Sequence, residues 1–272
     1  MGHDQYLSGE KLFGDDLGPE EIARWYREER EAYAALGAGN AGTYQYSYHG
    51  WNHLHGYRHL PAGLLGRVLA FGAAYGDELL PIIDRFRSVT ILDPSDAFAR
   101  GQDIRGVPAR WVKPEPDGHL PFDDGTFDLI TCFGVLHHVP NVTFVISELA
   151  RTLRIGGHML LREPIVSLGD WRKPRPGLTL RERGIPLHIL TRAVERNGLA
   201  IRRLTLCAFP LVPRLVGLVR RDVYNSVAAT RLDALLCRAF SWNINYHPRT
   251  MIQRFRPMSV YLVLDKGGST AA

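Results

Sequence analysis

The sequence predicts an α/β fold, a mostly parallel seven-stranded sheet with helices on both faces. Three observations predict it. From residue 66 onward, short apolar runs alternate with helix-like segments, the pattern of right-handed βαβ units. The first run leads into a turn rich in small residues, "FGAAYGD" (71–77). The second run, "SVTILD", ends on an acid, Asp93.

The elements follow in order. Residues 19–36, "PEEIARWYREEREAYAAL", predict a helix: Pro19 suits a first helical position, Glu20 and Glu21 favour the positive dipole end, and Gly37 can terminate it. Ile22, Trp25, Tyr26, Tyr33 and Leu36 recur at helical spacing. The aromatic and histidine-rich stretch "GNAGTYQYSYHGWNHLHGYRHLP" then completes an N-terminal cap segment, residues 1–65. The main domain, 66–272, opens with a strand at 67–71, a helix at 76–87 and a strand at 88–93. Strands at 108–112 and 127–133, a helix at 142–153 and a strand at 157–163 after a Gly156-Gly157 turn come next. A basic loop (164–184), a helix near 186–197, a strand at 199–207, an Arg-studded apolar insert (208–254) and a last strand within 256–266 complete the chain. In such sheets ligands bind beyond the carboxyl ends of the strands, which places Phe71, Asp93, Phe133 and Glu163 around one crevice.

Composition narrows the function classes. With 45% hydrophobic residues, the 272-residue chain can bury a large core. A net charge of +5 without any dense Lys/Arg block gives no sign of nucleic-acid binding. Cys132, Cys207 and Cys237 lie too far apart for a metal-type pair or a disulfide framework, so a reducing cytoplasm is the expected setting. The start, "MGHDQYLSGE", reads as no secretory leader, and Tyr6 breaks the myristoylation pattern. No run reaches the ~18 apolar residues of a spanning helix; "LTLCAFPLVPRLVGLVRR" (204–221) is interrupted by Pro210, Pro213 and Arg214.

The turn is not a dinucleotide fingerprint. Asp77 stands where G-x-G-x-x-G requires its last glycine, and no Tyr-x-x-x-Lys pair accompanies it, which disfavours an NAD-dependent oxidoreductase or epimerase. The fit to G-x-G-x-G, with Ala74 at the centre, is better. Asp93 can accept hydrogen bonds from both hydroxyls of a ribose; a structural turn with a surface acid is the plainer alternative.

The blocks "VLAFGAAYGDELL", Asp93, "LPFDDGTFDLITCFGVLHHVPN" and "ELARTLRIGGHMLL" resemble, in order and spacing, the class I S-adenosyl-L-methionine (SAM)-dependent methyltransferases that act on small molecules. The resemblance covers roughly residues 66–163 and implies a Rossmann-like methyltransferase fold with SAM as cofactor. It assigns to the cofactor Phe71, Gly72, Ala73, Ala74, Gly76, Asp93, Pro94, Asp117, Phe133 and Gly134, with Glu115 as the alternative to Asp117 near the adenine. The sequence departs from the family at two points: Ala70 replaces an acid that helps to fix the methionine ammonium, and Ala74 replaces a glycine. A SAM-binding protein without catalysis is therefore one alternative.

Methyl transfer is an in-line displacement in which alignment dominates, and a hydroxyl acceptor gains from a base. His137 or His138 is the expected base and Glu163 the second candidate; each has a plainer reading as a packing or capping residue. His49, His53, His55 and His59 have no metal-ligand spacing, so no metal is expected. Trp51, Tyr57 and His55 suit a sugar or aromatic acceptor. Arg172, Lys173, Arg175, Arg181 and Arg183 could bind an anionic group, or else pair with Asp170 and Glu182 on a solvated loop. The expected activity is O-methylation of a sugar or other glycosylated natural-product acceptor. Residues 208–221 read as a cap helix or dimer surface, or less simply as a contact with an anionic membrane face.

Overall fold

The computed structural model describes residues 3–38, 45–99, 101–216 and 222–268. Residues 39–44 of the aromatic segment and 217–221 of the apolar basic stretch lie outside the described residues. Helices α1 (His3–Leu7), α2 (Pro19–Ala38) and α3 (His49–His55) precede strand β1 (Gly66–Phe71). Strands β2 (Phe86–Leu92), β3 (Asp103–Ile104), β4 (Val107–Val112) and β5 (Phe127–Phe133) lead to helix α4 (Val142–Thr152) and strand β6 (Leu153–Pro164). Helix α5 (Leu187–Arg196), strand β7 (Leu199–Cys207), helices α6 (Val212–Val216) and α7 (Val227–Ala239) and strand β8 (Ser259–Lys266) follow.

The sheet runs β3-β4-β2-β1-β5-β6-β8-β7. Its centre is parallel, and β8 is antiparallel to both of its neighbours. Seven strands match the expected set; the eighth is the two-residue β3, folded back on β4 by a turn in which Gly106 takes φ +82° and donates to Asp103. Chain order reverses at β1, with β2 on one side and β5 on the other. This is the switch point where a crevice opens beyond the strand ends.

The central strands are buried on both faces, as parallel sheets require. Leu69, Phe71, Ile130, Cys132 and Leu161 pack against α4 and α5. Val68, Ala70, Leu129, Phe133 and Leu160 face the opposite way, toward Trp51, Leu54-bearing α3, Phe209 and α7. The aromatic cap and the late insert thus share one face of the sheet.

Two local expectations are corrected. The helix expected at 76–87 is a 3₁₀ segment, Asp77–Arg85, because Pro81 lies inside it and supplies no backbone N–H. Gly156-Gly157 is not a turn ahead of the strand but a bulge inside β6, where pairing with β5 skips from Leu153 to His158. Gly156 takes φ +73°, and a Cβ on Gly157 would lie 2.8 Å from the Arg154 carbonyl.

Candidate active site

Two clefts open beyond the carboxyl ends of β1 and β5 and share Gly72 and Gly134. They enclose about 840 and about 1230 Å³ of empty space, partly open to solvent. The first is lined by Phe71, Asp93, Pro94, Glu115 and Val135, with Leu92, Leu120 and Val145 giving an apolar floor. Tyr26, Glu29 and Arg30 of α2 complete its wall. The second is lined by Ala73, Ala74, Glu78, Phe133, His137 and Glu163, with Tyr46, Tyr48, Trp51 and Arg162 opposite.

The small-residue turn shapes the junction. Gly72 takes φ +68°, and a Cβ there would stand 2.5 Å from the Val135 methyls. Ala74 also takes a left-handed conformation, φ +49°. Its N–H donates to Oδ2 of Asp93 at 3.2 Å, while Ser95 N–H donates to Oδ1 at 3.1 Å. Asp93 is 3% exposed, and burial pushes its pKa up to about 6 against the pull of those two hydrogen bonds. Each carboxylate oxygen can accept more than one hydrogen bond. Gly76 lies outside both linings; at φ +78° it lets the turn close over Ile104 and Ile91.

Asp117, like Gly76, lies outside both clefts. Asp117 is exposed and turned to His119, whose backbone N–H and ring Nδ1 both lie 2.9 Å from its carboxylate. Of the two acids considered for the adenine, Glu115 is the one that lines the first cleft.

The candidate bases form one network. Oε1 of the buried Glu163 accepts the N–H groups of Val135 and Leu136, both at 2.8 Å, and Oε2 meets His137 Nδ1 at 2.8 Å. Glu163 thereby fixes the 3₁₀ turn Leu136–His138 from below. His137 Nε2 lies 3.5 Å from Glu182. Burial alone would lower the His137 pKa, but hydrogen bonds to Glu163 and Glu182 outweigh it and push it up to about 9. His138 turns to the first cleft, with Nδ1 2.9 Å from Glu29, and its carbonyl accepts from Trp25 Nε1 at 2.8 Å. Together these bonds dock α2 on the site. His137, His138 and Glu182 have ligand atoms within 4.8 Å of one another, the only such metal-competent group among the described residues, but all three already hold hydrogen-bond or ion-pair partners.

The aromatic wall differs in membership from expectation. Trp51 packs on Tyr224 with ring centroids 3.7 Å apart, and Tyr48 stacks on Trp51 at 5.4 Å. Tyr57 and His55 are buried behind the wall: Tyr57 donates to the Glu78 carbonyl, and burial brings His55 down to about 4.

Of the two readings of the loop arginines, the structure shows pairing within the protein, with Asp170 as expected and with Glu28 rather than Glu182. Arg172 pairs with Asp170, Arg181 with Glu28, and Arg175 donates to the Leu168 and Thr179 carbonyls. Arg183 is fully buried and donates to the carbonyls of Phe13, His137 and Pro140. Arg181 and Arg183 stitch the loop to the N-terminal segment. The basic residue that does line the second cleft, Arg162, was missed; its signal was an Arg-Glu pair closing the apolar run "MLLREP". The three cysteines are free and buried, and among the described residues no helix is long and apolar enough to cross a membrane.

The first cleft fits an adenosyl cofactor: a buried acid at the end of β2, an apolar slot, and a turn with no side-chain bulk at Gly72. Comparison with known proteins agrees. A family model described as a methyltransferase domain matches residues 69–161. An uncharacterized methyltransferase, YcgJ of Bacillus subtilis (strain 168), is 31% identical over 102 residues, 35% of this chain; the match spans only 39% of that protein. Among solved structures, the methyltransferase in complex with the Trm112 activator of Haloferax volcanii superposes with a TM-score of 0.54 at 14% identity, over 91% of this chain and 98% of that one. An S-adenosylmethionine-dependent methyltransferase from Mesorhizobium loti gives 0.53 at 17% identity, over 79% and 97%. At these identities the structures speak for the fold, and the family match speaks for the segment that carries Gly72, Asp93 and Gly134: residues 69–161 match a methyltransferase domain, set in a chain with the fold of S-adenosylmethionine-dependent methyltransferases.

Proposed function

We propose that the protein transfers a methyl group from SAM in the first cleft to a hydroxyl of a small molecule in the second, a sugar or other glycosylated or aromatic acceptor. The observation that carries this reading is the junction: two clefts of different character meet at Gly72 and Gly134, one holding a buried ribose-type acid and the other an aromatic wall with a polar rim. SAM supplies a methyl group on a sulfonium, open to in-line displacement. Asp93 and Glu115 hold the adenosine, Gly72 and Gly134 leave the junction clear, and Trp51 and Tyr48 give the acceptor a flat face. His137 accepts the acceptor's proton, with Glu163 holding its ring.

A second reading, cofactor binding without methyl transfer, draws on one observation: His137 is held protonated at neutral pH. Calorimetric titration with SAM and NAD tests the cofactor, and mass spectrometry of sugars, glycosides and phenols incubated with SAM tests the transfer. A methylated product supports the first reading, cofactor binding with no product across the panel supports the second, and tight NAD binding with no SAM binding overturns both.

A further inference from the structure

The second cleft contains a buried carboxylate that the proposed reaction leaves without a role. Strand register places Ala70 beside Thr131, and Phe133 beside Arg162, on the same face of the sheet. Ala70 ends at its Cβ, so the space above β1 is open to another side chain. Glu78 enters it from the 3₁₀ segment after the small-residue turn. Its Oε1 accepts from the Thr131 hydroxyl at 2.8 Å, and its own carbonyl is fixed by the Tyr57 hydroxyl at 2.6 Å. Glu78 is only 4% exposed, yet it lines the cleft beside Gly72, Ala73 and Ala74.

The other carboxylates of the cleft are engaged. Glu163 holds two backbone N–H groups and His137, and Glu182 holds Thr179 and His137. Glu78 differs: among the described residues, its carboxylate has the Thr131 hydroxyl as its hydrogen-bond donor and no ion pair. Burial pushes its pKa up to about 7, and nearby Arg162 opposes this only in part. A buried carboxylate without a cation at contact is unfavourable, and a ligand ammonium would relieve it.

We infer that Glu78 is the anion that binds the ammonium group at the amino-acid end of SAM, acting from the turn in place of the side chain that Ala70 lacks. The inference rests on the cofactor reading above. The adenosyl part belongs to the first cleft, and Glu78 stands just across the junction, next to the turn.

Two stable probes separate the ends of the cofactor: S-adenosylhomocysteine, which keeps the amino-acid end, and 5′-methylthioadenosine, which lacks it. By calorimetry, Glu78→Gln should weaken S-adenosylhomocysteine binding about tenfold or more and leave 5′-methylthioadenosine within about twofold. Adding Ala70→Asp to Glu78→Gln should recover most of the loss. Asp93→Asn should weaken both probes. Equal effects of Glu78→Gln on the two probes, or none on S-adenosylhomocysteine, would overturn the assignment while the cofactor reading stands. If the wild type binds neither probe, the cofactor reading falls and the assignment with it. Should Glu78→Gln fail to fold by thermal melting, Glu78→Asp decides in the same way, since the shorter acid must weaken the amino-acid probe selectively.

Discussion

The backbone N–H of Ala74 donates to Oδ2 of Asp93 at 3.2 Å while Ala74 is held at φ +49°. The turn and the candidate ribose acid are therefore one unit, built at the expense of left-handed strain. That strain costs an L-residue about 1–2 kcal/mol, and glycine gives back about 0.4–1 kcal/mol through the unfolded state. Ala74→Gly should raise Tm by about 1–3 °C and leave S-adenosylhomocysteine affinity within about twofold. Asp93→Asn, which keeps the shape but removes the charge, should lower that affinity about tenfold. A calorimetric titration in which Asp93→Asn binds like wild type would remove Asp93 from the cofactor site.

His137 as base sets the direction of the pH profile. Its pKa of about 9 means that the imidazolium dominates at neutral pH, so kcat/KM should climb from pH 6 and level above about 9. Glu182→Gln removes one of the two carboxylates that hold the proton, and the rising limb should move to lower pH. His137→Gln should cost roughly 10²–10⁴ in rate. Because the folded pKa lies above the unfolded one, the stability that this network supplies is complete below about pH 6.5 and is lost as pH rises through about 9. A flat kinetic profile with wild-type rates for His137→Gln would leave catalysis to alignment alone.

The loop arginines divide by burial. Arg172 is exposed and, among the described residues, its side chain pairs with Asp170 alone, so Arg172→Ala should change neither Tm nor the acceptor KM. Arg183 is enclosed among four backbone carbonyls and the Trp25 ring, where burial lowers its pKa to about 10. Arg183→Ala removes the guanidinium donors from those carbonyls and should cost about 3–5 kcal/mol in denaturant unfolding. A raised acceptor KM in Arg172→Ala, with SAM binding intact, would restore the anion-binding role.

The parallel core was legible because strands buried on both faces read as apolar runs: 127–133 was read to the residue. The 3₁₀ segment was misread because Leu79, Ile82 and Ile83 keep a helix-like period while Pro81 decides the hydrogen bonding. In the site, Gly72 and Asp93 were visible from spacing, since a turn and a strand end are local features. Glu78, Arg162 and Glu182 were not. They come from three separate segments, and only strand register and loop closure bring them to one cleft. Nor could spacing choose between Glu115 and Asp117, because the choice turns on the His119 contact.

The buried Glu78 should also be visible as a cost in stability. Its carboxyl rises from 4.5 to about 7 in the folded protein, so the native state binds the proton more tightly than the unfolded chain. Below about pH 4.5 both states are protonated and the burial carries no charge penalty. Between about pH 4.5 and 7 the unfolded chain ionises first, and the penalty grows. Above about pH 7 it is complete, on the order of 3 kcal/mol. Gln is neutral at every pH and close in shape, so Glu78→Gln should melt near wild type at pH 5 but about 5 °C or more above it at pH 8. Melting curves of both proteins across this range, without cofactor, measure the difference directly. A gap independent of pH would mean that packing, not the buried charge, separates the two, and the raised carboxyl would be wrong.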